Sequence, residues 1–403
     1  MNLNNVESLL SLEKTISSVN GIYIGSESNK NLFCFSNVVT DSRNVVENSL
    51  FVPLVGEFQN GHIYVDQAIE KGATVIFIDS NEYENNSNKY KELTEDCKNL
   101  SVIVVENTLY ALQALAETYV EQFPELIKVA ITGSSGKTTT KELVVSVLKQ
   151  KYNVVHTEGN FNSETGLPLS VFKIRKEHEV GVFEMGMNRQ DEIGEISTVL
   201  KPEYAIITNI GSAHIGMLGS RDNIAIEKKK VFTYVSKTGA VFIPAEDDYC
   251  NFLQKDVLGK VVLFGENVSS DINHVKYIKD CGLVGSVFSV DGIEIILKIP
   301  GIYNYRNALA SIALAKELDL TAEEIKAGIE NLSGLNSRME SSELNIKGNV
   351  KVNLIRDCYN ANYESMSSVI NFCDSLSNVN KRISIPSTEK TEPTKPQSFI
   401  YLT

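Results

Sequence analysis

One stretch near residue 130 limits the fold of this chain more than any other part of it. A β-branched run at 127–131 leads directly into the segment T-G-S-S-G-K-T-T-T at 132–140, and a run typical of a helix follows at 141–149. Glycines let a loop backbone wrap around a phosphate, and the first N–H groups of the next helix attract negative charge. The sequence therefore predicts a strand, a phosphate-binding loop and a helix in succession.

The loop is a compact form of the phosphate-binding pattern G-x-x-x-x-G-K-[ST], because Ile131 stands at the position of the first glycine. In this pattern Lys137 reaches the β- and γ-phosphates of a nucleotide, and the Thr138 hydroxyl binds Mg²⁺. We predict that the loop residues that bind ATP are Gly133, Ser134, Ser135, Gly136, Lys137, Thr138 and Thr139.

Two later apolar runs also end in side chains that are able to do chemistry. The run at 180–183 ends in Glu184, and the run at 204–207 ends in T-N-I-G-S-A-H, which closes with His214. Strands separated by helix-length segments predict a parallel, doubly wound α/β sheet, and such sheets bind ligands beyond the carboxyl ends of their strands. We therefore expect Glu184 to hold the Mg²⁺ of the nucleotide, and His214 to lie at the same edge.

A chain of 403 residues is too long for one core, so we expect several domains. The pattern predicts a small α/β domain at 1–124, a central nucleotide-binding domain at 125–333 and a partial third domain at 334–383. One strand and one helix cannot bury a core alone, so the third domain should lean on the central one. The proline-rich end, 384–403, is expected to be disordered.

The net charge, the apolar runs and the cysteine spacing make several partners and locations unfavourable. The net charge is −13, which disfavours binding to nucleic acid or to an anionic membrane. No apolar stretch approaches the roughly 20 residues that span a bilayer, and the first residues do not resemble a secretory signal. The six cysteines are scattered without a C-x-x-C pair, as expected for reduced thiols in the cytoplasm.

Several motifs, taken in order, resemble those of the Mur ligases, which add amino acids to the peptidoglycan precursor with ATP. The resemblance runs from about Thr40 to Met366. Besides the phosphate loop, the motifs are T-D-S-R at 40–43, N-F-N-S-E at 160–164, F-E-M-G-M-N at 183–188, T-N-I-G-S-A-H at 208–214, R-M-E at 338–340 and D-C-Y-N-A-N at 357–362. The E-M-G-M and Y-N-A-N runs point to the member that acts last in the cytoplasm.

The resemblance implies a three-domain fold: a small α/β domain, a central P-loop domain with a doubly wound parallel sheet, and an incomplete Rossmann-like C-terminal domain. It also implies an ADP-forming ligase that joins D-alanyl-D-alanine to UDP-N-acetylmuramoyl-tripeptide through an acyl phosphate. ATP and Mg²⁺ would be the cofactors. The enzyme would act in the cytoplasm as a monomer, without nucleic acid or membrane.

The resemblance also assigns roles to residues. Lys137, Lys228, His214 and Arg338 would be catalytic. Thr138 and Glu184 would hold one Mg²⁺, and His214 would hold a second with Lys228, carbamylated as in the family. Asn304 and Asn307 would face the adenine, Arg338 the transferred phosphate, and Asp357 the ribose. The UDP-precursor would be bound by Ser42, Arg43, Asn160 and Asn162. Without the resemblance, the run E-K-K-K at 227–230 would be read as a solvated helix face.

The sequence departs from the family pattern at several places. Arg356 stands where Asp is usual, Tyr363 where Pro is usual, Tyr303 where His is usual, and Lys230 where Glu is expected. The family's third domain also continues where the match ends, near Lys381. One alternative is therefore an eroded ligase that binds nucleotide or precursor with little turnover. Another is a folylpolyglutamate synthetase-like ligase, which the T-D-S-R motif argues against.

Overall fold

The computed structural model describes residues 8–27, 29, 34–268, 274–332, 334–335, 338–346, 350–360, 362–376, 381–384 and 399–402. The chain forms two compact units. The first contains 1–126, 157–176 and 198–200, and the second contains 127–156, 177–197 and 201–403. The first break lies two residues from the predicted one. Residues after 334 belong to the second unit, together with the central sheet.

The first unit is built on a five-stranded sheet in the order β2-β7-β6-β5-β4, in which only β2 runs antiparallel to its neighbour. The strands of this unit are β1 (Leu10–Ser11), β2 (Ile22–Ile24), β3 (Cys34–Phe35), β4 (Asn37–Val39), β5 (Ser49–Phe51), β6 (Ala73–Asp79) and β7 (Ser101–Val105). Strands β1 and β3 pair with each other in a separate two-stranded sheet. Its helices are Leu12–Ser18, Val65–Glu70, Ser80–Asp96, Thr108–Val120 and Gly166–Val171.

Apolar periodicity explains this unit. The β-branched side chains of β6 and β7 are almost all buried, and Tyr90 of the long helix covers one part of that core. The predicted strands at 73–78 and 102–105 and the helix at 65–71 are confirmed within one residue at each end. The predicted strand at 50–54 ends earlier, at Phe51, because Pro53 has no N–H to donate to a ladder.

The second unit contains a six-stranded, wholly parallel sheet in the order β13-β12-β11-β8-β10-β9. Its strands are β8 (Ile127–Thr132), β9 (Val154–His156), β10 (Val180–Glu184), β11 (Tyr204–Ile207), β12 (Ala240–Pro244) and β13 (Lys260–Phe264). The prediction of a parallel, doubly wound sheet is confirmed. Because β8 lies between β10 and β11, the chain order reverses there, and a crevice opens at the carboxyl ends of these strands.

Helices cover this sheet. They are Lys137–Leu148, Glu192–Leu200, Ile215–Leu218, Arg221–Lys229, Cys250–Leu253, Ile302–Glu317 and Ala322–Asn331. Gly328 allows close packing, because a Cβ there would lie 2.4 Å from the Val147 Cα, and the Ser146 hydroxyl donates to its carbonyl across 2.6 Å. Within the described residues, no helix combines the length and apolar character needed to cross a membrane.

A small antiparallel sheet that the sequence analysis did not predict follows β13. It consists of β14 (Val275–Asp280), β15 (Ser286–Val290) and β16 (Ile293–Leu297). Its buried side chains Val275, Phe288 and Leu297 belong to the same apolar cluster as the helix Ile302–Glu317. The exposed positions of this sheet mix apolar and polar side chains, for example Ile278, Ile296 and Glu294, so its strands do not show a clean alternation of apolar and polar residues.

The C-terminal segment adds a four-stranded antiparallel sheet in the order β17-β18-β20-β19, together with the helix Tyr363–Ser375. The strands are β17 (Glu340–Ile346), β18 (Val350–Arg356), β19 (Lys381–Ser384) and β20 (Phe399–Leu402). Ile355, Val369 and Phe372 are buried in the central apolar cluster. The segment thus leans on the central sheet, as the sequence analysis expects of a strand and helix without a core of their own.

The strand β20 differs from the prediction that 384–403 is disordered. It pairs with β18 and β19, and its residues, Phe-Ile-Tyr-Leu, are aromatic or apolar types that favour strands. Ser384 itself ends β19. The remainder of the predicted tail, 385–398 and 403, lies outside the described residues.

Candidate active site

The loop after β8 has the backbone geometry of a phosphate cradle. Gly133 and Gly136 both have positive φ, 154° and 78°, and Gly136 precedes the helix Lys137–Leu148. A Cβ on Gly133 would lie 1.8 Å from the Thr208 hydroxyl oxygen, and one on Gly136 would lie 2.5 Å from the Asn307 side-chain oxygen. Glycine avoids both the crowding and the strain of positive φ, so the loop can turn sharply into the helix Lys137–Leu148, whose first N–H groups attract negative charge.

Lys137 lies at the first position of that helix. Its Nζ donates to the Gly133 carbonyl across 2.8 Å, so the side chain folds back over the loop. Burial lowers the pKa of Lys137, the negative charge of Glu184 opposes this effect, and the positive charge of Arg338 adds to it. The cation, the carboxylate and the guanidinium are therefore close enough to interact around one loop.

The strand order brings the predicted chemistry to one edge. Glu184 ends β10, which flanks β8 on one side, and Thr208 follows β11 on the other side. The Glu184 side chain is buried, with 2% exposed. Parallel strands end at the same edge, so Glu184 and the phosphate loop share the crevice that the sequence analysis predicts.

The loop at 208–212 is fastened to the phosphate loop by side-chain hydrogen bonds. The Thr208 hydroxyl donates to the Ser135 carbonyl across 2.6 Å, and the Asn209 amide donates to the Ser135 hydroxyl across 2.9 Å. The Gly211 N–H donates to the Ser134 hydroxyl across 2.8 Å. The N–H groups of Ser134 and Ser135 also donate to Asn209, to its carbonyl and its side-chain oxygen, each across 3.1 Å. Both serines therefore fasten the two loops together in the ligand-free protein.

His214 follows this loop in a left-handed conformation, with φ 67°. Burial lowers its pKa to about 4, and the positive charges of Lys228 and Lys137 contribute to that shift. The imidazole is therefore neutral at pH 7, which is the form that binds a metal ion. The structure brings His214, Lys228 and Lys137 within range of one another's charges.

Lys228 is fully buried, and its Nζ has no hydrogen-bond partner within the described residues. Burial lowers its pKa well below the ordinary value, helped by Lys137 and opposed by Glu227. Burial therefore favours the neutral form of the amine. A buried amine without a partner is costly in a folded protein, and conversion to a carboxylate-like group would remove that cost.

The reading of 227–230 as a solvated face is wrong. Glu227 is buried and accepts hydrogen bonds from the Asp191 and Ile193 N–H groups, each across 2.9 Å. Lys230 pairs with Asp191 and with Glu227, and Lys229 donates to two backbone carbonyls, those of Phe252 and Lys255. Only Lys228 of this run lacks a hydrogen-bond partner within the described residues.

Arg338 and Asp357 form the wall contributed by the C-terminal segment. An Arg338 Nη atom donates to the Thr138 hydroxyl across 2.9 Å, and its guanidinium lies over the Tyr359 ring, 4.2 Å from the centroid. Asp357 accepts from the Met339 N–H across 3.3 Å, and burial raises its pKa. This wall presents a fixed cation and a carboxylate towards the phosphate loop.

These walls enclose a cavity of about 650 Å³, a size typical of small-ligand sites. Seven of the predicted ATP-binding residues line it, namely Ser135, Gly136, Thr139, Asn304, Asn307, Arg338 and Asp357. Asn304 is largely committed to the fold, since its amide donates to the Pro300 carbonyl across 2.7 Å and its oxygen accepts from Asn307 across 3.2 Å. Asn307 is therefore the more available of the two for a base.

The four predicted precursor-binding residues lie in the first unit. Ser42 is buried and donates to the Gln67 side-chain oxygen across 2.6 Å, whereas Arg43 is exposed and pairs with Asp41 across 2.7 Å. Asn160 and Asn162 share a tight turn in which the Asn162 N–H donates to the Asn160 carbonyl across 2.8 Å. Arg43 is the exposed cation among these residues. Binding of the UDP-precursor by the four residues stays a prediction.

Sequence reasoning missed four residues that line the cavity or fix its loops. Asp247 accepts from the Ile210 N–H across 2.8 Å, and Arg221 donates to the Ile210 carbonyl across 2.8 Å. Glu364 accepts from Ser212, and Tyr303 lines the cavity with a buried hydroxyl. Asp247 follows the end of β12 and was detectable by the strand-end rule. The others have no local signal.

The side chains predicted to bind metal ions are Thr138, Glu184, His214 and Lys228. Within the described residues, no group of three or more His, Cys, Asp and Glu side chains forms a ready-made metal site. The Thr138 hydroxyl and the Glu184 carboxylate are oxygen donors beside the phosphate loop, as Mg²⁺ requires when nucleotide phosphates complete its shell. The orphaned Lys228 amine near His214 fits a lysine awaiting carbamylation. The residues therefore fit the predicted ions.

Comparison with known proteins agrees with this geometry. Residues 131–315 match the Mur ligase middle domain, and residues 35–120 match the Mur ligase family, catalytic domain. The first range contains the phosphate loop, Glu184, His214, Lys228 and Asn307. The second contains Ser42 and Arg43.

Two similar proteins are both named UDP-N-acetylmuramoyl-tripeptide–D-alanyl-D-alanine ligase. The one from Treponema pallidum is 41% identical over 355 residues, which cover 86% of this chain and 73% of that protein. The one from Bacillus subtilis is 33% identical over 350 residues, covering 86% of this chain and 72% of the relative.

Solved structures show the same likeness. A crystal structure of MurF from Acinetobacter baumannii has a TM-score of 0.78 and 28% identity, covering 93% of this chain and 78% of its own. MurF ligase from Thermotoga maritima in complex with ADP has a TM-score of 0.66 and 25% identity, covering 84% of this chain and 74% of its own. The phosphate loop, the parallel sheet and these comparisons together show that the chain belongs to the Mur ligase family.

Proposed function

We propose that this chain joins D-alanyl-D-alanine to UDP-N-acetylmuramoyl-tripeptide, with ATP converted to ADP and phosphate. One observation carries the proposal: Lys137, Thr138 and Arg338 converge on one phosphate loop, and Arg338 comes from a distant C-terminal segment. The names of the Treponema and Bacillus relatives supply the substrates. The reaction belongs to peptidoglycan precursor synthesis, and the protein acts in the cytoplasm as a monomer.

The chemistry follows from the leaving group. A carboxylate is a poor acceptor for an amine, because oxide would have to leave. Transfer of the γ-phosphoryl group to the terminal carboxylate of the tripeptide gives an acyl phosphate and ADP. The amine of D-alanyl-D-alanine then attacks the acyl carbon, its proton is lost to solvent, and phosphate leaves.

Charge neutralisation is the main task of the protein in such a transfer. Lys137 swings from the Gly133 carbonyl to the β- and γ-phosphates, and the first N–H groups of the helix Lys137–Leu148 hold the phosphate oxygens. Arg338 neutralises the transferred phosphoryl group from the opposite wall. Asn307 faces the adenine with Asn304 behind it, and Asp357 holds the ribose.

The family cofactor is Mg²⁺. Thr138 and Glu184 would hold one ion, and His214 and carbamylated Lys228 would hold a second. When bound, Mg²⁺ would supply further neutralisation of the phosphate charge. In its neutral form, which burial favours, the Lys228 amine would react with CO₂ to give a carbamate and a proton, and the side chain would then be an anionic oxygen ligand. In the first unit, Ser42, Arg43, Asn160 and Asn162 bind the UDP-precursor.

The test is phosphate release with each substrate left out in turn. We expect release to require ATP, UDP-N-acetylmuramoyl-tripeptide and D-alanyl-D-alanine together, and Lys137→Ala to reduce it at least about 100-fold. Lys149→Ala, at the exposed far end of the same helix, is the matched control and should behave as wild type. Nucleotide binding without turnover would favour the eroded ligase, and near-normal turnover of Lys137→Ala would contradict the phosphate-loop assignment.

A further inference from the structure

Glu364 joins the C-terminal helix to the loop at 208–212. It lies in the first turn of the helix Tyr363–Ser375, and its Oε1 accepts from the Ser212 N–H across 2.7 Å. A hydrogen bond to an ionised carboxylate is short and roughly twice as strong as a neutral one. The two residues are 152 positions apart, so the contact exists only when the C-terminal segment is docked.

The loop is otherwise held from the side of the central sheet. Ser134 accepts from the Gly211 N–H, and Asp247 accepts from the Ile210 N–H, each across 2.8 Å. Glu364 approaches the same backbone from the C-terminal segment. The loop backbone is thus fixed on two sides just before it reaches His214.

Gly211 shows how closely the two sides approach. A Cβ at this position would lie 3.0 Å from the Glu364 Cδ and 3.2 Å from the Ser134 Cβ. The carboxylate and the phosphate loop therefore close on Gly211 from two directions. Any sideways shift of the loop would bring it into contact with one of them.

A contribution to the stability of the fold does not by itself explain the Glu364–Ser212 contact. The second carboxylate oxygen, Oε2, is buried and has no hydrogen-bond partner within the described residues, which costs free energy. Burial raises the pKa of Glu364, but the Ser212 hydrogen bond and the charge of Arg221 outweigh it, so the pKa is lowered from 4.5. The group is thus kept ionised at a place where half of it is unsatisfied.

We infer that Glu364 is a positioning residue: it sets the conformation of the loop that carries His214, and so makes the His214 side of the site depend on docking of the C-terminal helix. The link to metal binding rests on the proposed function. The link to loop conformation does not, and the two are tested separately.

The first test is hydrogen exchange in the ligand-free protein, followed on peptides that cover 208–215. Glu364→Ala should raise exchange there about tenfold, the loss expected for one charged hydrogen bond. Glu364→Gln keeps an acceptor and should restore most of the protection. Tyr363→Ala, next to it and 79% exposed, is the control and should change nothing. Faster exchange confined to the helix Tyr363–Ser375 would overturn the proposal, since it would show that Glu364 only holds the helix in place and does not set the loop conformation.

The second test is ADP binding measured by calorimetry over a series of Mg²⁺ concentrations and in EDTA. Glu364→Ala should raise the Mg²⁺ concentration for half-maximal binding about fivefold, while ADP affinity in EDTA stays the same. In a His214→Ala background, Glu364→Ala should have no further effect. Additive effects of the two substitutions would show that Glu364 does not act through His214. If Mg²⁺ has no effect even in wild type, the metal assignment fails while the exchange result still decides the loop's role.

Discussion

The guanidinium of Arg338 donates a hydrogen bond to the Thr138 hydroxyl across 2.9 Å, although the two residues are 200 positions apart in the chain. Thr138 belongs to the phosphate loop, whereas Arg338 precedes the C-terminal sheet. The contact places a permanent cation directly beside the loop. Stacking on Tyr359 fixes the plane of that cation, so its direction as well as its charge is set before a ligand arrives.

Arg338→Lys should therefore lower kcat about 100-fold, because lysine keeps the charge but loses the planar fork and the stacking. Phosphate release under saturating substrates measures this. Arg356→Lys is the matched control, since Arg356 pairs with Glu340 on the neighbouring strands. It should stay within about twofold of wild type. Equal losses in the two variants would show that general destabilisation, and not phosphate neutralisation, is responsible.

Lys228→Ala should be nearly inactive and should regain part of its activity in the presence of short carboxylates such as acetate, which can fill the vacated space. Wild-type protein in ¹³C-bicarbonate should show one carbamate signal by NMR, and Lys228→Ala should lack it. The physical reason is that the Lys228 amine is buried, with its pKa lowered, and has no hydrogen-bond partner within the described residues.

Lys229→Ala and Lys230→Ala are the controls for that experiment. Both should keep the carbamate signal. Lys230→Ala should nevertheless lower the melting temperature, because it leaves the buried Glu227 carboxylate without its cation. If all three alanine variants lose the signal and the activity alike, the assignment of the carbamate to Lys228 is wrong.

Tyr303→Phe should stabilise the ligand-free protein and weaken ADP binding. The Tyr303 hydroxyl is buried without a hydrogen-bond partner within the described residues, and it lines the cavity. Removing it relieves a cost of about 1 kcal/mol in the ligand-free state but removes a group that the nucleotide can satisfy. Thermal unfolding and calorimetry measure the two effects. Tyr305→Phe, in the apolar cluster, should leave ADP affinity unchanged; an unchanged affinity in Tyr303→Phe would contradict the prediction.

His62 should make the first unit sensitive to acid. Its Nε2 accepts from the Asp79 N–H across 3.0 Å, and burial lowers its pKa despite the charges of Glu82 and Asp79. Below pH 6.5 the unfolded chain takes up a proton that the folded imidazole resists, so the free energy of unfolding falls as the pH drops towards the lowered folded pKa.

The comparison of wild type with His62→Phe isolates this effect. The variant loses the hydrogen bond at every pH but does not titrate at this position. The difference in melting temperature should therefore shrink between pH 7.5 and pH 5. Circular dichroism is suitable, because the chain has no tryptophan. A difference that stays constant with pH would show that His62 titrates normally in the folded protein.

The parts of this protein that were predictable from sequence are those whose signal is local. The glycines and lysine of the phosphate loop, and the β-branched runs before Glu184 and Thr208, each carry their own pattern. Contacts such as Glu364–Ser212 and Arg338–Thr138 join positions that no local pattern relates. In the run E-K-K-K at 227–230, nothing in the sequence itself separates the buried Lys228 from the two lysines that follow it. The sheet β14–β16 was missed because its strands do not alternate cleanly between apolar and polar residues.

The position of β8 between β10 and β11 has a consequence for how the protein folds during its synthesis. The phosphate loop is complete in sequence at Thr139, yet one neighbour of β8 starts only at Val180 and the other only at Tyr204. During synthesis the loop therefore leaves the ribosome on an apolar strand with both edges open. Parallel pairing between distant segments is slow, and open edges invite aggregation meanwhile. A nascent chain of 139 to 203 residues contains the whole phosphate loop but lacks β11, the second neighbour of β8.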